Sequence, residues 1–325
     1  MIIDISILEE RVNTYTRLQE IAKCCLSGYE VERMFDFLYS AWELDSGDLW
    51  YLGYWNDYKD CGSIVLQVAK ALGKELVEAQ LLSEIGYVYM EWEEFEIAHT
   101  YFSQSIEKYK LLNEYRCECR GYRYLGTLAH RRGDYELALN NYFAALNVIE
   151  KQPFHIFDDD KWVFQKAELS NLIGNTYYKK TDFSASYYHF KLSLEQFRNM
   201  GIKWQYYQAS PLLNLGKYHF HKKEYDKARD YYQECLALSK AIHRTDTHAG
   251  VLLQMAGLAE VEGNIDEATC LANESANIAG IENPSLRDRA AHFKAGLKAL
   301  ELFEQMEAPK QCDRVNKAFE QGALK

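Results

Sequence analysis

Between Gly86 and Ala268 the chain states one pattern five times, and a blurred sixth copy lies upstream around Tyr58. The clearest copy runs Leu125, Gly126, Gly133, Asp134, Tyr135, Ala138, Tyr142, Ala145. Aligned with it are Ile85, Gly86, Phe95, Ala98, Phe102; Ile173, Gly174, Tyr177, Phe183, Phe190; Leu215, Gly216, Tyr225, Ala228, Tyr232; and Met255, Ala256, Gly263, Ile265, Ala268. Turn aromatics or their substitutes at 58, 95, 135, 183, 225 and 265 give spacings of 37, 40, 48, 42 and 40 residues. A self-similar period of that size predicts an all-α solenoid of helical hairpins. Such a fold builds a surface for binding without saying what binds.

Each copy reads as helix, turn, helix. A small residue in the first helix (Gly86, Gly126, Gly174, Gly216, Ala256) lets a neighbouring helix come close. Glycine costs roughly 1 kcal/mol of helix propensity, so its recurrence calls for a packing reason. The turns Gly133-Asp134, Thr181-Asp182 and Gly263-Asn264 pair a residue suited to left-handed backbone with a helix-capping side chain. In the second helix, Ala138 and Tyr142 or Ala228 and Tyr232 share a face at i,i+4 spacing.

Composition narrows the class. Hydrophobic residues make up 48% of the 325, enough for a continuous core, and only four are proline, which suits a chain that is nearly all helix. A net charge of −11 opposes nucleic-acid binding, which needs a basic face. Residues 30–60 alone carry eight acids against Arg33 and Lys59, most simply a solvated face. The eight cysteines are scattered without a CxxC, and no signal-like segment opens the sequence, so reduced thiols in a cytoplasmic protein are expected. Cys61 and Cys235 fall at small core positions. No apolar run approaches the roughly 20 residues needed to span a bilayer, so no membrane association is expected.

Catalytic and metal-binding signatures are missing. His219 and His221 diverge on a helix, His243 and His248 lack a third ligand, and His130 stands beside Arg131 and Arg132. With no HExxH and no nucleophile elbow, neither a metal, a cofactor nor an enzymatic activity is expected. The acidic run Glu91, Glu93, Glu94, Glu96 reads as a surface cluster at a turn.

Taken together, the small residue, turn glycine, alanine and late aromatic resemble the tetratricopeptide repeat over about residues 40–280, with a period longer than that family's usual 34 residues. Departures are Ser186 at the second-helix alanine and Ala129 at a first-helix tyrosine. The longer helices are similar to the sensor arrays of STAND-type ATPases and to peptide-responsive Rap-like regulators. The stretch with Leu66, Ala69, Leu72, Gly73, Ala79, Leu82, Gly86 and Tyr89 reads most like the former. No GxxxxGK[ST] run is present, and the segment before the first repeat is too short for a DNA-reading domain.

The resemblance implies a right-handed solenoid whose first helices line a concave groove. The expected organisation is an N-terminal capping helix at 1–30, about six repeats over 31–282, and C-terminal capping helices over 283–325. Groove positions carried over by register are Arg120, Arg123, Thr127, His130 and Arg131; then Asn171, Asn175, Tyr178 and Lys179, with Glu168 beside them; then Asn214, Lys217, Phe220 and His221. Asparagine can give to and accept from an extended backbone at once, and a cation can hold a carboxylate. The arginines alternatively serve only to solubilise the wall or to pair with Glu168 and Glu118.

Two functional readings follow. One is a non-catalytic adaptor or scaffold whose groove holds an acidic or carboxylate-ended segment of a protein partner. The other is a signalling sensor whose bound peptide changes solenoid pitch and affinity for a partner. Self-association through an end hairpin or through residues 151–162 is compatible with both. The irregular stretch 151–162, with Phe154, Ile156, Phe157 and Trp162, is either a docking lip or a flap folded over its neighbour.

Overall fold

A computed structural model describes residues 16–23, 35–36, 39–40, 55–152, 160–242 and 244–280. The chain divides into two compact units, Met1–Gln152 and Pro153–Lys325. All regular structure among the described residues is helical. Unit 1 contains α1 (Trp55–Ala71), α2 (Glu75–Glu91), α3 (Phe95–Leu111), α4 (Tyr115–Arg131) and α5 (Tyr135–Glu150). Unit 2 contains α6 (Asp160–Lys179), α7 (Phe183–Asn199), a 3-10 turn (Ile202–Trp204), α8 (Gln205–His221), α9 (Tyr225–Ala241), α10 (Thr245–Val261) and α11 (Ile265–Gly280).

The expected hairpins form. In unit 1, α2 packs on α3 and α4 on α5; in unit 2, α6 packs on α7, α8 on α9 and α10 on α11. Successive hairpins are joined by α3 against α4, α7 against α8 and α9 against α10. First helices also touch one another, α2 with α4 in unit 1, and α8 with both α6 and α10 in unit 2. They therefore form one wall in each unit.

The recurrent small residue has a specific partner. A Cβ added to Gly126 would lie 2.4 Å from Cε1 of Tyr142, and one on Gly216 would lie 2.3 Å from Cε1 of Tyr232. Gly174 meets Phe190 at 2.6 Å, and Gly86 meets Phe102 at 3.0 Å. In each case the ring stands sixteen positions after the glycine. At Ala256 that position is Ala272, so the loss of the ring coincides with the one methyl group in the series. The small residue and the ring that covers it thus change together.

A second small-residue layer was hidden in the sequence. Ala79 and Ser105, Cys119 and Ala145, Ala167 and Ser193, Ala209 and Cys235, and Ala249 and Ser275 are all fully buried at matching positions of their hairpins. Cys235 Sγ donates to the Ala209 carbonyl at 3.3 Å, and Ser275 Oγ to that of Ala249 at 2.8 Å. At these two sites a carbonyl on the facing helix satisfies the polar group, whereas Ser105 Oγ donates within its own helix to the Phe102 carbonyl at 3.0 Å.

The turns repeat one backbone solution. The Asp134 N–H donates to the Ala129 carbonyl at 2.9 Å while the Gly133 N–H donates to that of His130 at 3.0 Å, and the corresponding pairs close the turns at 93–94, 181–182, 223–224 and 263–264. This geometry needs a left-handed residue, supplied by Gly133 and Gly263 but also by Glu93, Thr181 and Lys223, with φ of 62°, 62° and 59°. Asp134 and Asp182 cap α5 and α7 by accepting from the Leu137 and Ala185 amides at 3.0 and 3.1 Å.

One sequence expectation changes. α1 ends at Ala71 and is followed by left-handed Gly73, as α3 ends at Leu111 and is followed by left-handed Asn113. Trp55 therefore matches Phe95 at a spacing of 40, and Tyr58 belongs one turn further in, where it is buried. Residues three apart share a helix face, so the apolar pattern did not distinguish the two registers. Of the stretch 151–162, which the sequence leaves open as docking lip or folded-over flap, Trp162 is buried in α6 and residues 153–159 lie outside the described set. The expected N-terminal cap is helical over 16–23, where Leu18, Ile21 and Ala22 join the core containing Trp55 and Tyr58. Its remainder and the expected C-terminal cap fall outside the described residues.

Candidate functional site

The walls of the two units present different chemistry. In unit 1, Arg131 on α4 bonds Glu91 of α2 at 2.6 Å and the Met90 carbonyl at 3.3 Å. Glu91 is nearly buried, its side chain 9% exposed, so this ion pair holds the first helices together rather than awaiting a ligand. The sequence offered Glu168 and Glu118 as partners for the arginines; for Arg131 the partner is Glu91. Arg123 lies over the Tyr124 ring at 5.1 Å, and Arg120 approaches Cys117 Sγ at 4.0 Å. Thr127 donates to the Arg123 carbonyl at 3.1 Å and accepts from the Tyr142 hydroxyl at 3.4 Å.

Three predicted groove residues are engaged inside their own hairpins. His130 meets Tyr135 edge-on at 5.4 Å, Tyr178 meets Phe183 at 5.5 Å, and Phe220 meets Tyr225 at 5.8 Å. Each ring thus closes on the aromatic that starts the second helix five residues later. That constant spacing was the signal in the sequence that these positions serve the turn. His221 stacks on Phe183 at 4.1 Å, with Lys222 on the same ring at 5.6 Å. His219, as its divergence from His221 requires, points inward and bonds Glu224 at 2.7 Å.

Unit 2 brings the remaining residues together on α6 and α8. Asn214 Nδ2 donates to Asn171 Oδ1 at 3.0 Å, joining the two first helices by an amide pair that retains a carbonyl and N–H groups for further bonds. Asn175 and Lys217 occupy equivalent positions, each just after its packing glycine. Among the described residues no carboxylate pairs with Lys217. Its side chain is half-buried. Burial pushes its pKa below the ordinary lysine value, and the like charge of Lys179 pushes the same way.

A buried hydroxyl on α9, the helix facing α8, is unsatisfied. The Tyr232 hydroxyl is buried without a hydrogen-bond partner among the described residues. Its counterpart in unit 1 is Tyr142, which bonds Thr127; at that register unit 2 has Lys217, whose ammonium has no acceptor to offer. Burial raises the Tyr232 pKa, with Tyr178 adding to the effect, so the hydroxyl remains protonated. No group of three His, Cys, Asp or Glu side chains suited to a metal is found among the described residues, and none of their helices is long and apolar enough to cross a membrane.

Helical hairpins of this length, stacked on a small-residue seam, define a tetratricopeptide-type array, and residues 209–241 match the tetratricopeptide repeat family. Several solved structures share the fold. A Rap protein complexed with competence and sporulation factor is 15% identical, covers 90% of this chain and 81% of its own, and has a TM-score of 0.65. NprR in complex with its cognate peptide NprX is 16% identical over 98% of this chain and 89% of its own, with a TM-score of 0.60. The STAND protein PH0952 from Pyrococcus horikoshii, which has a tetratricopeptide repeat sensor, is 15% identical over 96% of this chain and 46% of its own, with a TM-score of 0.59. The fold is thus one shared with Rap-like regulators. No curated protein matches the chain by sequence.

Proposed function

We propose that this chain is a non-catalytic interaction protein that holds an extended peptide segment against the α6–α8 wall of unit 2. The observation that carries the reading is the Asn171–Asn214 pair beside Asn175 and the uncompensated Lys217. Amides of this kind can hold a peptide backbone, and the lysine favours a segment bearing negative charge. The segment belongs to a larger protein in the adaptor reading. Two structures of the same fold, one a complex with competence and sporulation factor and one with the peptide NprX, favour a second reading in which the ligand is a free peptide. The free cysteines, of which Cys61, Cys119 and Cys235 are buried in helices, support a reducing, cytoplasmic setting.

The test is affinity capture from the source cell with the intact chain, beside Asn171→Ala/Asn214→Ala, with mass spectrometry of both proteins and short peptides. A ligand retained by the wild type and lost from the variant supports the wall as the site. Equal retention by both moves binding elsewhere and overturns it.

A further inference from the structure

The turn edge of unit 2 carries a charge pattern that is independent of the α6–α8 wall. We infer that this edge is a second docking surface, where an acidic segment of a partner protein lies across the α6–α7 and α8–α9 turns.

Unit 1 ties its adjoining turns by charge. Five and six positions after the packing glycine, α4 and its C-cap present Arg131 and Arg132, which bond Glu91 at 2.6 Å and Glu96 at 2.8 Å from the preceding hairpin. In unit 2 the same two positions are His221 and Lys222, and the positions of the two acids are Lys179 and Ser184. Both counter-charges are gone, and one has become a further cation. The turns still meet, because His221 stacks on Phe183 at 4.1 Å and the Lys222 ammonium stands over the same ring at 5.6 Å. Ring stacking has taken over the tie and left the lysines to solvent.

The acids of this edge do not neutralise them. Lys179, Lys222 and Lys223 are exposed, and none has a carboxylate partner among the described residues. Asp182 is turned to the Ala185 amide as the cap of α7, while Glu224 is held by His219 at 2.7 Å and by Lys227 at 3.0 Å. A helix dipole favours a cation at its C-terminal end, which accounts for lysine in these turns. It does not account for the missing acids, since Arg131 and Arg132 stand at the same end of α4 and have theirs. In a chain of net charge −11 the edge is a local reversal of sign, and it attracts an acidic segment that the rest of the molecule repels.

Spacing favours a polypeptide. Packed helices lie roughly 8–10 Å apart, a distance spanned by about three residues of extended chain, so a short run of Asp and Glu reaches both Lys179-Lys180 and Lys222-Lys223. A nucleic-acid strand has a fixed charge on every residue and is opposed by Asp182, Glu224 and Asp226, which stand among the lysines. A polypeptide can place neutral residues there.

The experiment titrates the intact chain into fluorescently labelled, amidated short peptides with a central Asp/Glu run or the matching Asn/Gln run, read by anisotropy. Wild type should bind the acidic peptide, lose about 10-fold or more in affinity when its acids become amides, and bind less tightly as salt rises. Lys179→Glu/Ser184→Glu, which copies the acids of unit 1, should lose acidic-peptide binding while its melting temperature holds or rises. Should that variant melt lower, Lys222→Gln/Lys223→Gln gives the same reading through loss of binding. Asn171→Ala/Asn214→Ala should bind as wild type does. No binding of the acidic peptide by wild type, or full binding by both lysine-edge variants, overturns the inference and leaves the groove reading standing. Binding lost with the asparagines overturns it too, and supports the groove reading by placing the acids on the wall. Tighter binding of a single-stranded oligonucleotide, or self-association of wild type that Lys179→Glu/Ser184→Glu abolishes, overturns it in favour of nucleic acid or of a second copy of the chain.

Discussion

Unit 1 and unit 2 share a hairpin but not a wall. The packing seam is the same in both, a ring laid over a glycine at Gly126 and at Gly216. The polar surface on the other side of those helices differs. In unit 1 the cation Arg131 is tied to Glu91 and Thr127 satisfies Tyr142; in unit 2 Lys217 is uncompensated, Tyr232 is unsatisfied, and an asparagine pair bridges the first helices. The repeat fixes how helices meet, and leaves the wall free to be either a strut or a receptor. A residue at one register position is therefore informative only after its partners are known.

The largest effect should come from the feature the units share. Gly126→Ala and Gly216→Ala each place a methyl group against a tyrosine ring and should cost about 1–3 kcal/mol in chemical denaturation. A large cost in one unit and none in the other would break the premise of a common seam. By contrast Gly257, where an added Cβ meets nothing within 4 Å, should gain up to about 1 kcal/mol when changed to alanine.

Opposite signs should follow at the wall cations. Arg131→Met leaves nearly buried Glu91 without its partner and should destabilise by about 1–3 kcal/mol. Lys217→Met removes an uncompensated charge and should stabilise the ligand-free protein by about 0.5–2 kcal/mol. Matching signs in thermal melts would erase the distinction between strut and receptor.

Turn strain offers a smaller contrast. Thr181 in unit 2 is a β-branched residue in the left-handed region at φ 62°, where unit 1 has Gly133 at φ 82°. Thr181→Gly should stabilise by about 0.5–1 kcal/mol, the release of strain outweighing the added freedom of the unfolded chain. A loss of stability would show that the threonine side chain holds the turn.

The finest test is pH dependence. The folded-state pKa of Lys217 is depressed, so between that value and the ordinary lysine value near 10.4 the unfolded chain binds more protons than the folded one. Stability from this group therefore rises with pH through that window and is lowest below it. Wild type minus Lys217→Met should show this positive slope in urea titrations on the alkaline side; a flat difference would mean the ammonium is well solvated.

Much of the architecture was legible. The glycines, the turns with Asp134 and Asp182, and the alanine and aromatic of each second helix announced hairpins because helix periodicity and caps are local signals. The burial of Ser105, Ser193 and Ser275 was not legible, since a small polar residue on a helix reads as surface until the facing helix is in place. For His130, Tyr178 and Phe220 the register marks a groove position, while the contact of each ring with the aromatic five residues on appears only in the folded hairpin.

The sequence by itself determined a tandem array of helical hairpins, the size of its repeat and the positions where helices touch, for these rest on spacings within about forty residues that recur and check one another. Tertiary structure alone decided the register of α1, the burial of Trp162, and which wall residues are free. Asn171 finds Asn214 at a separation of 43 residues and Arg131 finds Glu91 at 40, one repeat away on the adjoining first helix. At that distance several polar side chains share the face, and only the packed geometry selects which two come within hydrogen-bonding reach and which lysine is left without a counter-charge.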